Sequence, residues 1–507
     1  MRLPKFNFIF LIGFIIFVGL LILRGWIVCS KGTNLGGIEQ NVIYNTQCLL
    51  NGTPLYTPPS TLPFSITQYT PLYYYINALT ARITGLGPDD VQGLYIIGRI
   101  WNVLCNLGTA WIIFQIAFRI FGLSRLRSWI LFVASFGLLY DLNFAVRPDS
   151  LCDMLGAASI YCFLRNQAGP KSFTLLALAV LLSALATFSK QSGIQVILIY
   201  GAFCLLTREW RTLISAILLS VVIYGAMLGW CLLKFPSYLE NVVGGVENGI
   251  SLSRYLNWII FNKHIIITVW PLTALVTYLC IRNRASFTQH GSLGLLASFV
   301  VGTLAFASVT ALKSGASAQY YVLFVNLAMV LVMIGLSNYH YSLRLYQAYL
   351  LLSVVYFSHA DWTLIQDNSV KSRSERRRKA ASMTASFIKE ADSGRNGGYV
   401  LVDISVSPGD YVPNRQALNN FLFRKCLVPQ MDIMEFASIP VKVLGYAGLD
   451  SMLKTGKIEY IIENGEQSTH EAEVKFNILP DLPQELKQHY TLAKDFDGYD
   501  VYKWDNK

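Results

Sequence analysis

Ionisable residues interrupt a stretch of this sequence that is otherwise apolar enough to form a membrane helix. Residues 143–165 read NFAVRPDSLCDMLGAASIYCFLR and contain Arg147, Asp149 and Asp153. Ionisable groups at the edge of a bilayer are costly and tend to be functional. A carboxylate can take a proton from a reacting group and a guanidinium can hold an anion, so these side chains are candidates for a reaction at the membrane boundary.

The same residues also have a structural interpretation. Asp149 follows Pro148 and can cap the N-terminus of the next helix. Asp153 lies four residues further, on the same helical face and one turn deeper, where a carboxylate needs a partner. Arg147 or Lys190 could supply that partner in a buried ion pair that steadies the protein. Capping and chemistry are compatible, so we predict a functional role for Asp149.

Three further charged residues raise the same question. Arg99 lies inside an apolar run, about one turn from its outer end, where Glu39 or a phosphate would offset the cost of the guanidinium. Lys190 stands in ATFSKQSGIQ between two apolar runs, where it either binds an anion or extends to the interface. Glu39 begins a helical pattern, so it is either a solvated carboxylate favoured by the helix dipole or a functional acid.

The composition indicates the class of protein that must position these groups. The chain has 507 residues, of which 53% are hydrophobic and 14% are charged, and its mean hydropathy is +0.43. In soluble globular proteins charged residues alone make up about a quarter of the chain. The sequence therefore predicts a multi-pass membrane protein. Its net charge of +11 does not indicate a nucleic-acid partner, because the basic residues are scattered at the ends of apolar runs.

About eleven apolar runs are long enough to cross the hydrocarbon of a bilayer. They are residues 6–23, 94–118, 128–146, 150–165, 172–188, 192–206, 212–233, 262–281, 292–312, 319–337 and 344–360. The first is expected to be an uncleaved anchor, because no small-residue cleavage site follows it. Lys and Arg occupy alternate short loops, which places those loops and the N-terminus in the cytoplasm. The opposite face then carries a long first loop, residues 24–93, and everything after about 361.

The loops of that opposite face contain elements of their own. Apolar spacing over residues 37–50 predicts an amphipathic helix at the membrane interface, which ends before Gly52. The segment PLYYYINALTARITG, from Pro71, predicts a second interfacial helix. The later loop, residues 234–258, contains several glycines, and it is either an ordinary connector or a lid over a substrate.

The composition changes after the last apolar run. Residues 366–382 form a basic linker, and residues 383–507 have ordinary polar content. GYVLVDIS and KIEYIIENG predict strands, NRQALNNFLFRK and LDSMLKTG predict helices, and YTLAKDFDGYDVYKW predicts a hairpin about Asp497 and Gly498. The fold is therefore predicted to be mainly α, with a polytopic membrane helix bundle in residues 1–365 and a small extracytoplasmic α/β domain. That domain is expected to present substrate or to act as a structural cap.

The cysteines give little indication of a disulfide framework or a metal site. Most of the nine lie inside apolar runs, where they behave as small apolar residues. Zinc spacing is absent. Cys29 and Cys48 share the first loop and could pair if that side of the membrane is oxidising.

The order of the motifs resembles a known superfamily. An acid at the start of the first loop is followed by QYTPLYYYI, IGRIWNVL, RPD, FSKQSGIQ and SAQYYVLF, within about residues 1–340. This order is similar to that of the GT-C superfamily, and most similar to the bacterial group related to protein O-mannosyltransferases and lipid A aminoarabinose transferases. The resemblance implies an inverting glycosyltransferase that moves a sugar from a polyprenyl-phosphate carrier to a hydroxyl of a lipid, glycan or protein at the extracytoplasmic face.

The resemblance also implies catalytic roles for two acids. The acid of the first loop is the expected base, and the matching position here is Glu39. Many relatives have an acidic pair in this loop, whereas Ile38 and Gln40 flank Glu39 in this chain. Asp149 could supply the second carboxylate. The two acids would then either share a divalent metal, such as Mg²⁺ or Mn²⁺, or divide the roles of base and substrate orientation.

Other positions are expected to bind the donor and the sugar. Lys190 matches a basic residue that resembles a ligand of the carrier phosphate. Lys313 and the start of the next apolar run match polar or aromatic sugar-binding positions, although an interfacial aromatic belt is the alternative for the tyrosine there. The expected substrate-binding residues are Tyr69, Arg99, Arg147, Asp153, Lys190, Lys313, Gln319 and Tyr320.

A secondary transporter or a flippase of lipid-linked sugars is the competing function. Such a protein should have broken helices and midplane charges in two related halves. Here the charges cluster toward one face and the halves do not match, which favours the enzyme. We expect a multi-pass protein of a bacterial inner membrane whose partners are the lipid-linked sugar, membrane lipids and an acceptor, and not nucleic acid.

Overall fold

The structure of the protein is a computed structural model. It describes residues 8–29, 39–138, 144–246, 249–282, 291–313, 318–366, 379, 382–390, 398–402, 418–427, 446–463, 488–496 and 499–505. The main helices are α1 Phe8–Cys29, α2 Glu39–Leu50, α3 Leu72–Ile83, α4 Val91–Gln115, α5 Arg125–Gly137, α6 Asp149–Ala168, α7 Phe173–Ser189, α8 Gln195–Leu206, α9 Trp210–Lys234, α10 Tyr238–Val242, α11 Leu252–Phe261 and α12 Trp270–Arg282, followed by Ser292–Thr310, Val322–Gly335, His340–Gln366 and Tyr446–Lys454.

Every apolar run that the sequence predicts as a span contains a helix of the structure. Six helical stretches are long and apolar enough to cross a membrane by themselves: Phe8–Cys29, Val91–Ile120, Trp210–Lys234, Ile265–Arg282, Ser292–Thr310 and Ala318–Gly335. The remaining runs correspond to α5, α6, α7, α8 and the helix His340–Gln366. The protein is therefore a multi-pass membrane helix bundle, as predicted.

The run predicted as a span over residues 128–146 is shorter than expected. Its helix ends at Gly137 and has 13 residues, which at 1.5 Å per residue is about 20 Å and less than the hydrocarbon thickness. Residues 144–148 are buried but not helical. Non-helical backbone is tolerated at membrane depth where protein covers it. Here the amide of Val146 donates to the carboxylate of Glu39 at 2.8 Å.

The centre of the bundle is the helix Val322–Gly335, which is buried along almost its whole length. A helix that is apolar on all sides is expected at the core of a large protein. By contrast, α9 is exposed on most of its surface, as expected of a helix that faces lipid. α6 packs against both α4 and α7, so the polar N-terminal end of α6 is enclosed by these neighbours.

The first loop forms the helices predicted for it. α2 begins at Glu39 and ends before Gly52, which has a φ of +76° that favours glycine. α3 follows Pro71. All residues of α2 from Glu39 to Cys48 are buried, including the polar ones, because protein also covers the polar side of the helix.

The C-terminal part contains a four-stranded sheet in the order β1-β2-β4-β3. The strands are β1 Tyr399–Val402, β2 Ile458–Glu463, β3 Tyr490–Phe496 and β4 Tyr499–Trp504. β1 and β2 are parallel, while the β2–β4 and β3–β4 pairs are antiparallel. The small mixed α/β domain is confirmed, and so are the strands of the predicted hairpin. Its turn at Asp497 and Gly498 lies outside the described residues, as does most of the basic linker.

The C-terminal domain packs directly on α2. Tyr44 and Cys48 of α2 share one hydrophobic cluster with Val400, Leu418 and Cys426 of the domain. Cys48 therefore faces the C-terminal domain, and no disulfide joins it to Cys29, which is exposed and free at the end of α1.

Candidate functional site

A cavity of about 650 Å³ opens where the first loop, the α7–α8 junction and the segments that follow α9 and the helix Ser292–Thr310 meet. Its lining residues are Tyr69, Lys190, Gln191, Ser192, Val246, Gly249, Ile250, Phe306, Val309, Thr310, Lys313 and Tyr320. Four of them are predicted substrate-binding residues: Tyr69, Lys190, Lys313 and Tyr320. The wall is mainly apolar, and two lysines are the charged groups among these lining residues.

Lys190 stands at the break between α7 and the short helical turn Gln191–Ile194. Its backbone is extended and ends α7, while its ammonium lies 2.5 Å from Oδ1 of Asp149. The same ammonium lies 4.7 Å from the ring centroid of Tyr320 and 5.8 Å from that of Tyr69. One cation is thus held between a carboxylate and two aromatic rings at the cavity wall.

A close approach of backbone fixes this break in position. The amide of Gly193 donates to the carbonyl of Lys190 at 2.9 Å. A Cβ at Gly193 would lie 2.4 Å from the carbonyl carbon of Ala186 in α7. Only glycine allows the turn to fold back this tightly on α7. Ser189 adds a hydrogen bond of 3.1 Å to the carbonyl of Pro148, which places Lys190 against the start of α6.

Asp149 is the first residue of α6 and lies between two cations. In addition to Lys190, the Nε of Arg147 lies 3.4 Å from Oδ2 of Asp149. Burial alone would lower the pKa of the Lys190 ammonium, but the Asp149 carboxylate raises it above its ordinary value. Lys190 therefore stays protonated at neutral pH. Arg147 and Lys190 were predicted as possible partners of Asp153, but both pair with Asp149 instead. Within the described residues Asp153 forms no ion pair.

Glu39 and Arg99 form a second pair that is completely buried. The Nε and Nη2 of Arg99 donate to the two carboxylate oxygens of Glu39, each at 2.9 Å. Both side chains have 0% exposure. Glu39 is therefore not a solvated carboxylate. It is one of the two partners, Glu39 or a phosphate, that the sequence suggested for Arg99. A two-point arginine–carboxylate contact fixes orientation as well as charge.

A short segment joins the two pairs. Val146 donates its amide to Glu39, and the next residues of the chain include Arg147 and Asp149. Glu39 does not line the cavity, whereas Asp149 contacts Lys190, which does.

The donors present do not fit a divalent metal shared by Glu39 and Asp149. The oxygens of Glu39 accept from Arg99 and from the Val146 amide, and those of Asp149 accept from Lys190 and Arg147. A metal would have to displace these cations. Among the described residues, no cluster of three His, Cys, Asp or Glu residues could hold a metal ion.

The connector after α9 also contributes to the cavity, and its anchoring was not predicted. Asn241 is fully buried, accepts from the amide of Thr67 at 2.8 Å and donates to the carbonyl of Thr57 at 2.8 Å. Gln191 donates to the carbonyl of Val242 at 3.1 Å. The segment is thus held against the first loop and the Lys190 turn. Asn241 carries no sequence signal, whereas Gln191 directly follows Lys190 in a recognised motif.

Gln319, another predicted substrate-binding residue, has a different position. It is buried at the start of a helical turn before Val322–Gly335, and it does not line the cavity. Residues 247 and 248 of the predicted connector or lid lie outside the described residues.

No family model and no curated protein matches this sequence. In fold, the chain is similar to ArnT from Cupriavidus metallidurans in the apo state, with a TM-score of 0.63 and 12% identity over 96% of this chain and 97% of that one. The same protein bound to undecaprenyl phosphate gives a TM-score of 0.59 at 12% identity, with 96% and 97% of the chains covered.

The oligosaccharyltransferase of Archaeoglobus fulgidus is also similar in fold. Its apo form gives a TM-score of 0.58 and 11% identity over 99% of this chain and 75% of that one. It has been solved in complex with zinc and sulfate as well. These proteins are GT-C glycosyltransferases, and the likeness extends over both the membrane bundle and the C-terminal domain. The chain therefore has the GT-C fold that its motifs led us to expect.

Proposed function

We propose that the protein is an inverting glycosyltransferase that moves a sugar from a polyprenyl-phosphate donor to an acceptor hydroxyl on the extracytoplasmic face. The observation that carries the proposal is the charged Lys190 at the wall of an otherwise apolar cavity, within a GT-C fold. ArnT, which shares the fold, has been solved with undecaprenyl phosphate bound.

The cavity suits an amphiphilic donor. Its apolar wall includes Phe306, Val309 and Ile250, which match a polyprenyl chain, while Lys190 and Lys313 match a phosphate. A charge-assisted hydrogen bond between an ammonium and a phosphate oxygen is about twice as strong as a neutral one. Asp149 and the tyrosine rings hold the Lys190 ammonium in place before the donor arrives, which reduces the entropy lost on binding.

The reaction requires one proton acceptor and one site for developing negative charge. The acceptor oxygen loses its proton to a base and forms a bond to the anomeric carbon of the sugar. On the opposite side of that carbon the bond to the phosphate oxygen breaks, and its electron pair stays on the phosphate. We assign the base to Glu39, which Arg99 holds in one orientation, and the stabilisation of the phosphate to Lys190. Because Glu39 has 0% exposure and accepts from the Val146 amide, this assignment requires the segment around Val146 to move aside when the acceptor binds.

The negative charges of Glu39 and Asp149 are neutralised by basic side chains of the protein itself. Each acid already has its cation, so we propose that transfer needs no metal bridging Glu39 and Asp149. Treatment of the purified protein with EDTA is then expected to leave turnover unchanged. Loss of turnover that Mg²⁺ or Mn²⁺ restores would contradict this part of the proposal.

The test of the function is transfer in detergent without a sealed compartment. Purified protein is mixed with a radiolabelled polyprenyl-phosphate sugar and a membrane-lipid or glycan acceptor, and release of the lipid phosphate is followed. Turnover in detergent supports a transferase. Movement of the lipid-linked sugar that occurs only across sealed vesicles would instead identify a flippase, the competing function.

We also propose the topology predicted from the basic loops, with a cytoplasmic N-terminus and an extracytoplasmic C-terminal domain. The sequence divides into a membrane domain of residues 1–365, a basic linker of residues 366–382 and an outer domain of residues 383–507. The cavity then lies on the side of the membrane that carries the long first loop, where a lipid-linked donor would present its sugar.

A further inference from the structure

We infer that Asn420, in the C-terminal domain, is a positioning residue for the Glu39–Arg99 pair. This inference rests on the proposed function, because it assumes that Glu39 acts in the transfer. It gives the C-terminal domain a role in the reaction, although none of the domain's described residues lines the cavity.

Asn420 reaches the side of the pair that belongs to α2. Its side-chain nitrogen donates to the backbone carbonyl of Gln40, the neighbour of Glu39, at 3.1 Å, and to the side-chain oxygen of Gln47 at 3.1 Å. Gln47 in turn donates to the carbonyl of Asn420 at 2.8 Å. Asn420 is only 1% exposed, so water cannot replace these bonds without opening the contact.

The same side chain also reaches the arginine side of the pair. The hydroxyl of Tyr95 donates to the side-chain oxygen of Asn420 at 3.0 Å. Tyr95 lies one turn before Arg99 on the same face of α4. The guanidinium carbon of Arg99 is 5.3 Å from the centroid of the Tyr95 ring, within the range of a cation–π contact.

These contacts form a closed ring of residues that includes the buried Glu39–Arg99 pair. It runs from Asn420 to Gln40, along the chain to Glu39, across to Arg99, through the ring of Tyr95, and back to Asn420. An asparagine amide offers both a donor and an acceptor, and here each is directed at a different helix. Asn420 therefore sets the separation of α2 and α4 at the point where Glu39 meets Arg99.

Simple docking of the domain does not require this arrangement. The hydrophobic cluster around Tyr44 and Cys48 already attaches the domain to α2. An exposed ion pair between Arg424 and Asp89, 3.2 Å apart, adds a contact of the kind that contributes little stability. Arg424 lies four residues from Asn420 and contacts the same region of the membrane domain, so it provides a matched control.

The experiment compares full-length variants in detergent by steady-state kinetics. Asn420→Ala removes the donor and the acceptor, Asn420→Asp keeps the acceptor alone, and Tyr95→Phe removes one hydroxyl. We expect kcat to fall about tenfold or more in Asn420→Ala and Asn420→Asp, with the donor KM unchanged because the Lys190 cavity is outside the ring. Arg424→Ala is expected to keep both constants.

A double-mutant cycle tests the ring itself. If Tyr95 acts through Asn420, Tyr95→Phe has no further effect on kcat in the Asn420→Ala background. Multiplicative losses would overturn the inference, and so would an unchanged kcat in Asn420→Ala. Tyr95→Phe changes a single oxygen, so it remains informative if the Asn420 variants fold poorly.

Hydrogen exchange provides a readout that does not depend on activity. Among the described residues, Val146 forms no hydrogen bond with Asn420, but its amide donates to Glu39. We expect the amides of residues 144–147 to exchange about tenfold faster in Asn420→Ala, because a loosened Glu39 no longer protects the Val146 amide. Unchanged exchange there would refute a positioning role even if transferase activity had never been detected. An inactive wild type with accelerated exchange in the variant would refute only the proposed function.

Discussion

Replacement of Gly98 by alanine tests whether the Glu39 site depends on close packing between α4 and the non-helical 144–148 segment. A Cβ at Gly98 would lie 2.4 Å from Cγ1 of Val146, whereas carbon atoms in ordinary contact are about 3.5–4.0 Å apart. Val146 must therefore retreat by about 1 Å. That movement pulls its amide away from Glu39, to which it donates at 2.8 Å.

The expected effect combines two contributions. Overpacking of a well-filled interior costs about 1–3 kcal/mol of stability. Loss of a hydrogen bond to a charged group costs about 1.5–3 kcal/mol. If the second contribution acts on the transition state, kcat falls by about 10- to 150-fold, since about 1.4 kcal/mol corresponds to a factor of ten. The donor KM should stay unchanged, because Gly98 and Val146 do not line the cavity.

The assay is steady-state sugar transfer by the purified protein, with Gly225→Ala as the control. Gly225 lies in α9, and a Cβ there would meet no atom within 4 Å. The double variant Gly98→Ala, Val146→Ala creates space for the new methyl group, so it should recover most of the lost kcat. A normal kcat in Gly98→Ala, or a loss that the second substitution fails to recover, would refute the packing argument.

Substitutions at Glu39, Lys190 and Gly193 test separate parts of the site. Glu39→Gln preserves size but cannot take a proton, so turnover should be abolished while expression is retained; near-normal turnover would remove Glu39 as the base. Lys190→Met should raise the donor KM about tenfold or more, because one charge-assisted bond to the phosphate is lost, and Lys190→Arg should recover part of it in a donor titration. Gly193→Ala should displace the Lys190 turn and weaken donor binding, whereas Gly201→Ala, with no atom closer than 4.0 Å to the new Cβ, should bind donor normally.

Much of the site could be predicted because polar residues are conspicuous in an apolar sequence. Lys190 and Asp149 each interrupt a hydrophobic run, and both lie at the cavity or one contact from it. The pairing of Arg99 with Glu39 followed from the cost of a guanidinium inside a membrane helix. In such an apolar chain, a buried ionisable residue needs a partner of opposite charge, and few such residues are present. Contacts between distant charged residues can therefore be predicted.

Other features could not be predicted because their cause lies in distant parts of the chain. The end of α5 at Gly137 was not predicted, and the apolar residues 144–146 are non-helical in a segment that protein covers. The polar face of α2 suggested exposure to water, whereas the C-terminal domain buries it. Asn420 and Asn241 have no distinctive sequence context, because asparagine is common in polar segments.

The contact between Asn420 and Gln40 spans 380 residues of sequence, and this separation has a consequence for biosynthesis. At about 5–20 residues per second, a ribosome needs about 20–80 s to add the partner after the first loop has been made. During that interval α2 lacks the side chain that we infer positions Glu39 against Arg99 of α4. Under the proposed function, a chain that ends before Asn420 would transfer sugar about tenfold or more slowly, and full activity would begin only after residue 420 has been added.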